Sequence, residues 1–227
     1  MISIIVPVYN EERALPALLA RLGSLEGEHE VLFSDGGSTD STLTLLCGHR
    51  VATGAKGRAS QCNRAAAEAK GDILFFLHCD SLIMPDALCR IHAAVDKGAE
   101  WGCLTLRFDD PSFPYWFGGH VSNLRVRWGH IAFGDQGIFM TRTLFEQVGG
   151  FPELPIMEDY ELSLRLKREK IYPVQVKSPI ITSSRRFREG GTFRVTWNMQ
   201  RLRAMYRRGV DIEVIYRAYR DVRERDG

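Results

Sequence analysis

Hydrophobic and polar positions divide the first half of the chain into short apolar runs bounded by glycine, proline or charged residues. Strand-like runs cover residues 2–8, 30–34, 50–53, 71–80 and 101–108, and a helix-like pattern follows each of the first four. Regular alternation of strands and helices favours an α/β fold, with a mostly parallel central sheet and helices on both of its faces.

The most apolar of these runs ends on a His-Cys-Asp sequence. Ile73 to Leu77 are five consecutive apolar residues, which is typical of a parallel strand covered on both faces. Ligands of open α/β sheets bind outside the carboxyl ends of the strands. Asp80 is therefore predicted to hold a divalent cation against a phosphorylated ligand. Alternatively it only ends the strand, with Pro85 opening the next helix.

Polar segments follow the other predicted strands. After the second strand, residues 35–40 place two glycines among carboxylates and hydroxyls, so that Asp35 could accept hydrogen bonds from a base or a ribose. A turn with Ser38 or Asp40 as a helix N-cap explains the same residues. Arg58 begins the third helix, where its guanidinium and the backbone donors could bind one anion, unless it is simply exposed to solvent.

Residues 109–133 interrupt the alternation and are predicted to be irregular. The segment contains two prolines, a Gly-Gly pair, six aromatic residues (Phe, Tyr and Trp) and two histidines. Long irregular segments inside compact domains are often functional. We expect it to form the floor or lid of an acceptor pocket, with plain aromatic packing as the alternative.

The second half of the chain returns to regular structure. A strand is predicted at residues 138–141, and Thr143 with Glu146 matches a capping box for a short helix. Glu158 and Asp159 open an amphipathic helix, where acids are commonplace because they complement the helix dipole. Further predictions are strands at 172–176 and 180–184, a basic loop at 185–188, and helices at 192–208 and 211–225.

Composition and cysteine usage narrow the class of protein. With 227 residues, 44% of them hydrophobic and 26% charged, the chain suits one large α/β domain with or without a helical appendage. Five cysteines without a CxxC pair argue against a disulfide framework and a structural zinc site. No run reaches the ~18 apolar residues of a membrane span, and no export leader precedes the first strand. We therefore expect a cytoplasmic protein that is neither exported nor membrane-spanning.

Positive charge is concentrated at the C-terminal end. Residues 185–226 hold twelve arginines and six acids, whereas the whole chain has a net charge of +2, so the remainder carries about 2 − 6 = −4. This basic helical tail could meet an anionic ligand or the inner face of a membrane, or merely be solvated. One apolar side, formed by Phe193, Trp197, Leu202 and Tyr206, is expected to pack against the domain.

The order of the motifs resembles that of the family 2 glycosyltransferases of the GT-A fold. The motifs are, in order, IIVPVYNEE, SDGGSTDST, GRASQCNRAAAEAKGDILFFLHCDS, GDQGIFMTRTLFEQVGGF and PIMEDYELSLRLK. The resemblance covers about residues 2–187. Five motifs in one order make it far more specific than any single motif.

The resemblance implies an inverting transfer of a sugar from a nucleoside diphosphate donor, with Mn²⁺ or Mg²⁺ bridging the diphosphate. Asp80 with His78 would bind the metal ion, and Asp159 would be the catalytic base. The acceptor or the leaving group would be contacted by Asp135, Gln136, Glu158 and Arg186. The nucleotide would be bound by Pro7, Tyr9, Glu11, Asp35, Arg58 and Cys79.

His78 departs from the family pattern, because many members carry the first aspartate of a DxD motif at this position. A histidine can ligate Mn²⁺ but suits Mg²⁺ poorly, and the same position could contact sugar or ribose instead. The HxD sequence, with the GDQ and RRF-like segments, is similar to the short single-domain bacterial subgroup of the family.

These observations predict a GT-A domain at residues 1–190, with a nucleotide-binding half at 1–100 and an acceptor half at 101–190, followed by a helical extension at 191–227. The acceptor is not identified; it could be lipid-linked, and nucleic acid is not expected as a partner. The chain lacks the Gly-rich N-terminal loop of nucleotidylyltransferases and the GxGxxG motif of dinucleotide-dependent oxidoreductases, which argues against both classes of enzyme. A catalytically silent nucleotide-sugar-binding or scaffold protein is the alternative, although both Asp80 and Asp159 are present.

Overall fold

The computed structural model describes the backbone of residues 1–225, and the side chains in that range except those of Arg186 and residues 220–225. Eight strands occur in this range: β1 (Ile2–Val8), β2 (His29–Asp35), β3 (Arg50–Thr53), β4 (Ile73–Phe76), β5 (Ser81–Ile83), β6 (Trp101–Phe108), β7 (Ile138–Thr141) and β8 (Val174–Thr182). The helices are α1 (Leu15–Leu22), α2 (Thr42–Leu45), α3 (Arg58–Glu68), α4 (Ala87–Val95), α5 (Phe113–Gly129), α6 (Arg142–Gln147), α7 (Glu158–Arg168), α8 (Arg185–Gly190), α9 (Thr192–Arg207) and α10 (Ile212–Arg225), with a 3-10 turn at Gly134–Gln136.

The eight strands form one sheet in the order β3-β2-β1-β4-β7-β6-β8-β5. Four neighbouring pairs are parallel, namely β3 with β2, β2 with β1, β1 with β4, and β6 with β8. The other three pairs are antiparallel. This arrangement confirms the predicted α/β class with a mostly parallel sheet.

Alternate residues of the strands supply two hydrophobic layers, one on each face of the sheet. Ile4 and Phe75 pack on one face with α1 and α4, whereas Ile5 and Leu74 pack on the other with α3, α6 and α7. The buried side of α3 consists largely of alanines. Small side chains let this helix lie close to β1 and β2, which brings its polar residues to the carboxyl ends of those strands.

Asp80 lies in a turn and not at the end of a ten-residue strand. Regular pairing of β4 with β1 ends at Phe76, although the Leu77 N–H still donates to the Ile5 carbonyl at 2.9 Å. The chain then reverses, with the Ser81 N–H donating to the His78 carbonyl at 3.1 Å. The following strand, β5, pairs with β8 at the far edge of the sheet. The predicted strand at 71–80 was therefore too long, because its polar end forms this turn.

The prediction of an irregular segment at 109–133 was wrong, because most of it is helix α5. Pro114 lies in the first turn, where a missing N–H costs no hydrogen bond. Gly119 allows the helix to approach the Leu106 carbonyl, which would lie 3.4 Å from an added Cβ. Asn123 also accepts from the Leu106 N–H at 2.9 Å and donates to its carbonyl at 3.1 Å. Tertiary contacts with β6 thus outweigh the poor helix propensity of the glycines.

Three smaller predictions were also wrong. Helix α6 is capped by Thr141, whose hydroxyl accepts from the Leu144 N–H at 3.3 Å, and not by Thr143. The two strands predicted at 172–184 are one strand, β8, in which Lys177 and Ser178 form a bulge opposite the Leu104–Thr105 step of β6. The predicted basic loop at 185–188 is the short helix α8.

The C-terminal helices occur where they were predicted, but only part of their apolar side is covered. Leu202 and Ile215 are buried in a small cluster with Tyr160 of α7, and Tyr206 packs against it, as expected. Phe193 is 84% exposed and Trp197 is 66% exposed, so the prediction that they pack on the domain was wrong. Over residues 1–225, no helix combines the length and the apolar content that crossing a bilayer requires.

Alanine substitutions at two glycines test this packing, and they should change the free energy of unfolding in opposite directions. A Cβ at Gly102 in β6 would overlap the Val174 carbonyl oxygen and lie 2.7 Å from the Phe139 ring, so we expect Gly102→Ala to lower the free energy of unfolding by about 1–3 kcal/mol. A Cβ at Gly118 in α5 would make only an ordinary 3.7 Å contact with Phe108. Gly118→Ala should therefore raise stability by up to about 1 kcal/mol. Urea denaturation measures both changes; a Gly118→Ala variant as unstable as Gly102→Ala would contradict the helical packing of α5.

Candidate active site

A small cavity lies where β1 and β4 end, between the start of α3 and the start of α7. Its walls come from motifs that are far apart in the sequence, which is the arrangement expected of a site at the carboxyl edge of a sheet. The lining residues are Pro7, Arg58, Cys62, Phe76, Leu77, His78, Gly134, Ile138, Phe151, Glu158 and Asp159. Five of these, Pro7, Arg58, His78, Glu158 and Asp159, were predicted from the sequence to be site residues.

An ion pair between Arg58 and Glu158 crosses this cavity. The guanidinium Nη1 lies 3.0 Å from the Glu158 Oε1, joining α3 to α7 over a sequence separation of 100 residues. Glu158 is 3% exposed. Its burial raises the pKa of Glu158, and Arg58 acts against this increase. For Arg58, burial would lower the pKa, but the nearby Glu158 and Asp159 carboxylates outweigh it, so the pKa of Arg58 is raised.

Asp159 is held by two backbone donors. Its Oδ2 accepts from the Gly134 N–H at 2.8 Å, and its Oδ1 accepts from the Tyr160 N–H at 2.7 Å. The preceding residue, Met157, is buried with a φ of 69°, a left-handed conformation that is strained for a non-glycine residue. Together these features fix the direction in which the Asp159 carboxylate leaves the helix.

Gly134 separates Asp159 from His78. A Cβ at position 134 would lie 2.6 Å from the His78 Nε2 and 3.5 Å from the Asp159 Oδ2, so only glycine fits between them. Burial and the Arg58 charge lower the pKa of His78 to about 3. The imidazole is therefore neutral near pH 7, which is the form that can ligate a metal ion.

Asp80 lies two residues after His78 and is exposed. Among the side chains that the structure describes, no three of His, Cys, Asp or Glu converge in a geometry that could hold a metal ion. An imidazole and a carboxylate on one turn still fit a cation whose other ligands are phosphate oxygens and water. The residues present are therefore compatible with a cation that binds together with a diphosphate.

The 3-10 turn contributes a second buried carboxyl group. Asp135 has one oxygen, Oδ1, that is buried and makes no hydrogen bond, and burial raises the pKa of Asp135. The neighbouring Gln136 is fully buried, and its Oε1 accepts from the Arg125 Nη2 at 2.8 Å. Unsatisfied buried polar atoms are costly, so the Asp135 Oδ1 and the Gln136 Nε2, which also lacks a partner, are both suited to contact a ligand, while the Gln136 Oε1 orders the turn.

The loops after β1 and β2 are bonded to each other. The Asn10 N–H donates to the Ser38 hydroxyl at 2.9 Å, and the Thr39 N–H donates to the Asn10 Oδ1 at 2.8 Å. Asp35 accepts from the Gly37 N–H at 2.8 Å, and its carboxylate is buried. Asp35 thus organises the loop, whereas the Tyr9 ring, with the Lys56 ammonium 3.7 Å from its centroid, lies nearer the surface.

Comparison with known proteins assigns this arrangement to a family. The sequence model described as glycosyl transferase family 2 matches residues 3–149, which is more than half of the chain. The chain belongs to glycosyl transferase family 2. The family predicted from the order of the motifs is therefore confirmed.

Two curated relatives in this family share one name, undecaprenyl-phosphate 4-deoxy-4-formamido-L-arabinose transferase. The protein from Aeromonas hydrophila subsp. hydrophila is 31% identical over 112 residues, which are 43% of this chain and 34% of the relative. The protein from Klebsiella pneumoniae subsp. pneumoniae is 27% identical over 154 residues, which are 61% of this chain and 47% of the relative. The chain thus spans about a third to a half of the length of these relatives.

Solved structures of other glycosyltransferases share the fold. The 1–349 fragment of TarS from S. aureus has a TM-score of 0.62 at 21% identity, with 82% of this chain and 61% of the fragment covered. The mannosyltransferase PcManGT from Pyrobaculum calidifontis, in complex with GDP-Man and Mn²⁺, has a TM-score of 0.63 at 20% identity, with 88% and 60% covered. These similarities confirm the predicted GT-A fold.

For three residues that the family resemblance assigned to the site, the structure gives no direct evidence of a role. Glu11 follows β1, and its N–H donates to the Thr42 hydroxyl at 2.8 Å. Cys79 is buried in the hydrophobic core, which raises the pKa of its thiol. The Arg186 side chain lies outside the described part of the chain, although its backbone is in α8. Their roles stay predictions.

Two site-forming residues on α3 were not assigned a role from the sequence. Gln61 is buried and donates through its Nε2 to the Val8 carbonyl at 2.8 Å and the Ser34 carbonyl at 2.7 Å. Asn63 donates to the Phe151 carbonyl at 2.8 Å and accepts from its N–H at 2.9 Å. The available signal was the presence of amides in an otherwise alanine-rich helix.

We expect Arg58→Met to destabilise the protein by about 1–3 kcal/mol, because the buried Glu158 loses its counter-charge. The cost stays in this range because Arg58 is half-exposed, so solvent already screens part of the ion pair. When the pKa of a group is higher in the folded than in the unfolded protein, that group contributes stability below its unfolded pKa. This contribution is lost as the pH rises through the folded pKa. Since Arg58 opposes the raised pKa of Glu158, its removal should cost more at about pH 7 than at about pH 4.

Urea denaturation at the two pH values measures this difference. Arg90→Met, which breaks an exposed ion pair with Asp86, is the control and should cost only about 0–1 kcal/mol. Adding Glu158→Gln to Arg58→Met should abolish the extra cost at neutral pH. An equal cost of Arg58→Met at both pH values would contradict the buried-charge account.

Proposed function

We propose that the protein transfers a sugar from a nucleoside diphosphate donor to an acceptor hydroxyl, with inversion at the anomeric carbon. The observation that carries the proposal is the fixed Asp159 carboxylate, which shares one cavity with Arg58 and His78. In this reaction the bond from the anomeric carbon to the diphosphate breaks, and a bond to the acceptor oxygen forms. The acceptor proton passes to Asp159, and the nucleoside diphosphate leaves.

The cavity wall formed by α3 and the β1 loop fits the donor. Pro7 and Arg58 line the cavity, and Tyr9 with Lys56 continues from it towards solvent. A guanidinium at the start of a helix is suited to a diphosphate, since backbone N–H groups act on the same anion. In support, TarS is known in complex with UDP-GlcNAc, and PcManGT with GDP-Man. We assign nucleotide contacts to Pro7, Tyr9, Glu11, Asp35, Arg58 and Cys79.

A divalent cation would be held by Asp80 and His78. When bound, such an ion stabilises the negative charge that develops on the leaving diphosphate. The neutral imidazole of His78 favours Mn²⁺ over Mg²⁺. PcManGT binds Mn²⁺ together with its donor, which supports the assignment.

The acceptor would approach Asp159 from the side of the 3-10 turn. Asp135 offers a buried carboxyl oxygen without a partner, Glu158 holds Arg58 in place, and Gln136 orders the turn. The curated relatives are named for undecaprenyl phosphate, which supports a lipid-linked acceptor. We therefore propose a cytoplasmic enzyme at the inner membrane face, to which the arginine-rich C-terminal helices contribute attraction for acidic lipids.

The proposed organisation has a donor-binding half at residues 1–100 and an acceptor half at 101–190, with a helical extension after them. Both halves contribute strands to the same sheet, since β5 pairs with β8. Arg58 and Glu158 then join the donor wall to the acceptor wall. A catalytically silent binding protein would share this arrangement but would release no nucleoside diphosphate.

We expect Asp80→Ala to abolish the Mn²⁺-dependent part of nucleoside diphosphate binding, because the carboxylate that holds the cation is lost. His78→Ala should weaken binding or change the preference among metal ions. Titration calorimetry with and without Mn²⁺ measures the effect, and Asp86→Ala, which removes another acid from the surface, is the control. An unchanged Mn²⁺-dependent affinity in Asp80→Ala would refute the metal assignment.

We expect Asp159→Asn to reduce turnover by about 10²–10⁴-fold while donor and metal binding persist, because the amide cannot take up the acceptor proton. Release of nucleoside diphosphate in the presence of acceptor measures turnover. Glu153→Gln, at an exposed acid before α7, is the matched control and should retain the parent rate. Transfer by Asp159→Asn at the parent rate would exclude its role as the base. Absence of any turnover by the parent protein, across donors, would favour the silent binding protein.

A further inference from the structure

Helix α5 presents an apolar stripe to solvent. Its exposed large residues recur at intervals of three or four, which places them along one side of the helix; they are Phe113, Phe117, Val121, Leu124 and Trp128, with Trp116 beside them. The opposite side holds the buried Tyr115, Gly119 and Val126 and packs on the sheet. Exposure of Trp128 reaches 77%, so the stripe is not covered by any described part of the chain.

The beginning of α9 lies next to the first turn of α5 and carries two further exposed aromatic residues. The Thr192 hydroxyl lies 3.4 Å from the Tyr115 hydroxyl, and the Tyr115 ring lies 6.4 Å from the Phe187 ring of α8. Phe193 directly follows Thr192, and Trp197 lies one turn later. These two exposed residues and the six exposed apolar residues of α5 form what we call the aromatic face.

The exposed charges on helices α5 and α9 are of one sign. The two helices contain six arginines and no Asp or Glu. Arg125 and Arg203 lie over the Phe133 ring, whereas Arg127, Arg194, Arg201 and Arg207 are exposed. Acids close to either helix in the sequence are already engaged, since Glu189, three residues before α9, pairs with Arg185 at 2.8 Å. Asp109 accepts from the Ser184 N–H at 2.8 Å, and Asp110 accepts from the Ser112 N–H at 2.9 Å.

We propose that the aromatic face docks on a lipid bilayer that contains anionic lipids. Phe and Trp side chains on one side of a helix, bordered by arginines, suit the boundary between headgroups and hydrocarbon. Acidic headgroups complement the arginines. A twofold contact between two copies would instead place the same arginines against each other. The charge pattern therefore favours the membrane over a second copy of the chain.

The position of the aromatic face relates it to the site. Ser81, next to Asp80, pairs with Thr182 at the end of β8, and Asp109 bonds to Ser184 just beyond it. The start of α5 thus lies on the same side of the molecule as the metal-binding turn. Docking rests on the membrane location proposed above and names the surface responsible for it, but it requires neither donor nor metal.

Co-flotation with vesicles of phosphatidylcholine, with and without phosphatidylglycerol, tests the proposal. The parent protein should float with the acidic vesicles and be released by high salt, with a blue shift of its tryptophan emission on binding. Phe117→Ser/Trp128→Ser should weaken partition by at least about tenfold, because two rings no longer enter the bilayer. Leu43→Ser/Leu45→Ser, on the exposed side of α2, is the matched control and should bind like the parent. Circular dichroism melting verifies that each variant is folded.

Several results would overturn the proposal. The parent protein could fail to float with acidic vesicles at low salt, or Leu43→Ser/Leu45→Ser could lose as much binding as the α5 variant. A parent dimer in sedimentation that becomes monomeric in Phe117→Ser/Trp128→Ser, without vesicle binding, would make the aromatic face an interface between copies. Transfer to a water-soluble acceptor is measured separately, so loss of docking and loss of the proposed activity can be told apart.

Discussion

The site depends on the neutralisation of one buried carboxylate. Glu158 opens α7 from a position that is 3% exposed, and Arg58 provides its counter-charge from the first turn of α3. An unpaired charge at this depth would be costly, so the beginnings of the two helices are held together. Asp159 is the next residue, so the same ion pair fixes its place beside the cavity. Its location therefore follows from an ion pair in which it takes no part.

Helix α3 transmits this constraint to the rest of the cavity. Gln61 bonds to carbonyls at the ends of two strands, Val8 of β1 and Ser34 of β2, and Asn63 bonds to the backbone of Phe151 before α7. Because both amides are on the helix that carries Arg58, the ends of β1 and β2 and the segment before α7 are hydrogen-bonded to one helix. The surface loops that surround the site are bonded to each other as well.

The second half of the chain contributes residues both to the polar site and to the aromatic face. Asp135, Glu158 and Asp159 are directed inward; burial raises the pKa of Asp135 and of Glu158, and neighbouring arginines act against this increase. On α5, large apolar residues are directed outward although the buried side of the helix is already satisfied by β6. An inward apolar surface explains folding, whereas an outward one requires a partner, and the arginines around it select for an anionic one.

Much of the fold could be predicted from the sequence because local patterns decide it. Strands β1, β3, β6 and β7 have the predicted bounds, and α7 begins at the predicted acidic pair. Apolar runs with alternating burial leave little choice of conformation, and the five ordered motifs identify the family and the GT-A fold. The clustering of Arg58, His78, Glu158 and Asp159 followed from that fold.

Tertiary structure decided the features that depend on contacts between distant residues. Prolines and glycines predicted an irregular segment at 109–133, but Asn123 and Gly119 fit the backbone of β6, and those contacts make α5 a helix. The use of Asp35 within its own loop and the turn at Asp80 likewise depend on neighbours from other strands. Periodicity alone cannot show which side of a helix is covered. The sequence by itself therefore determined most of the elements and the candidate site residues, whereas packing decided that α5 is a helix and which aromatic residues face solvent.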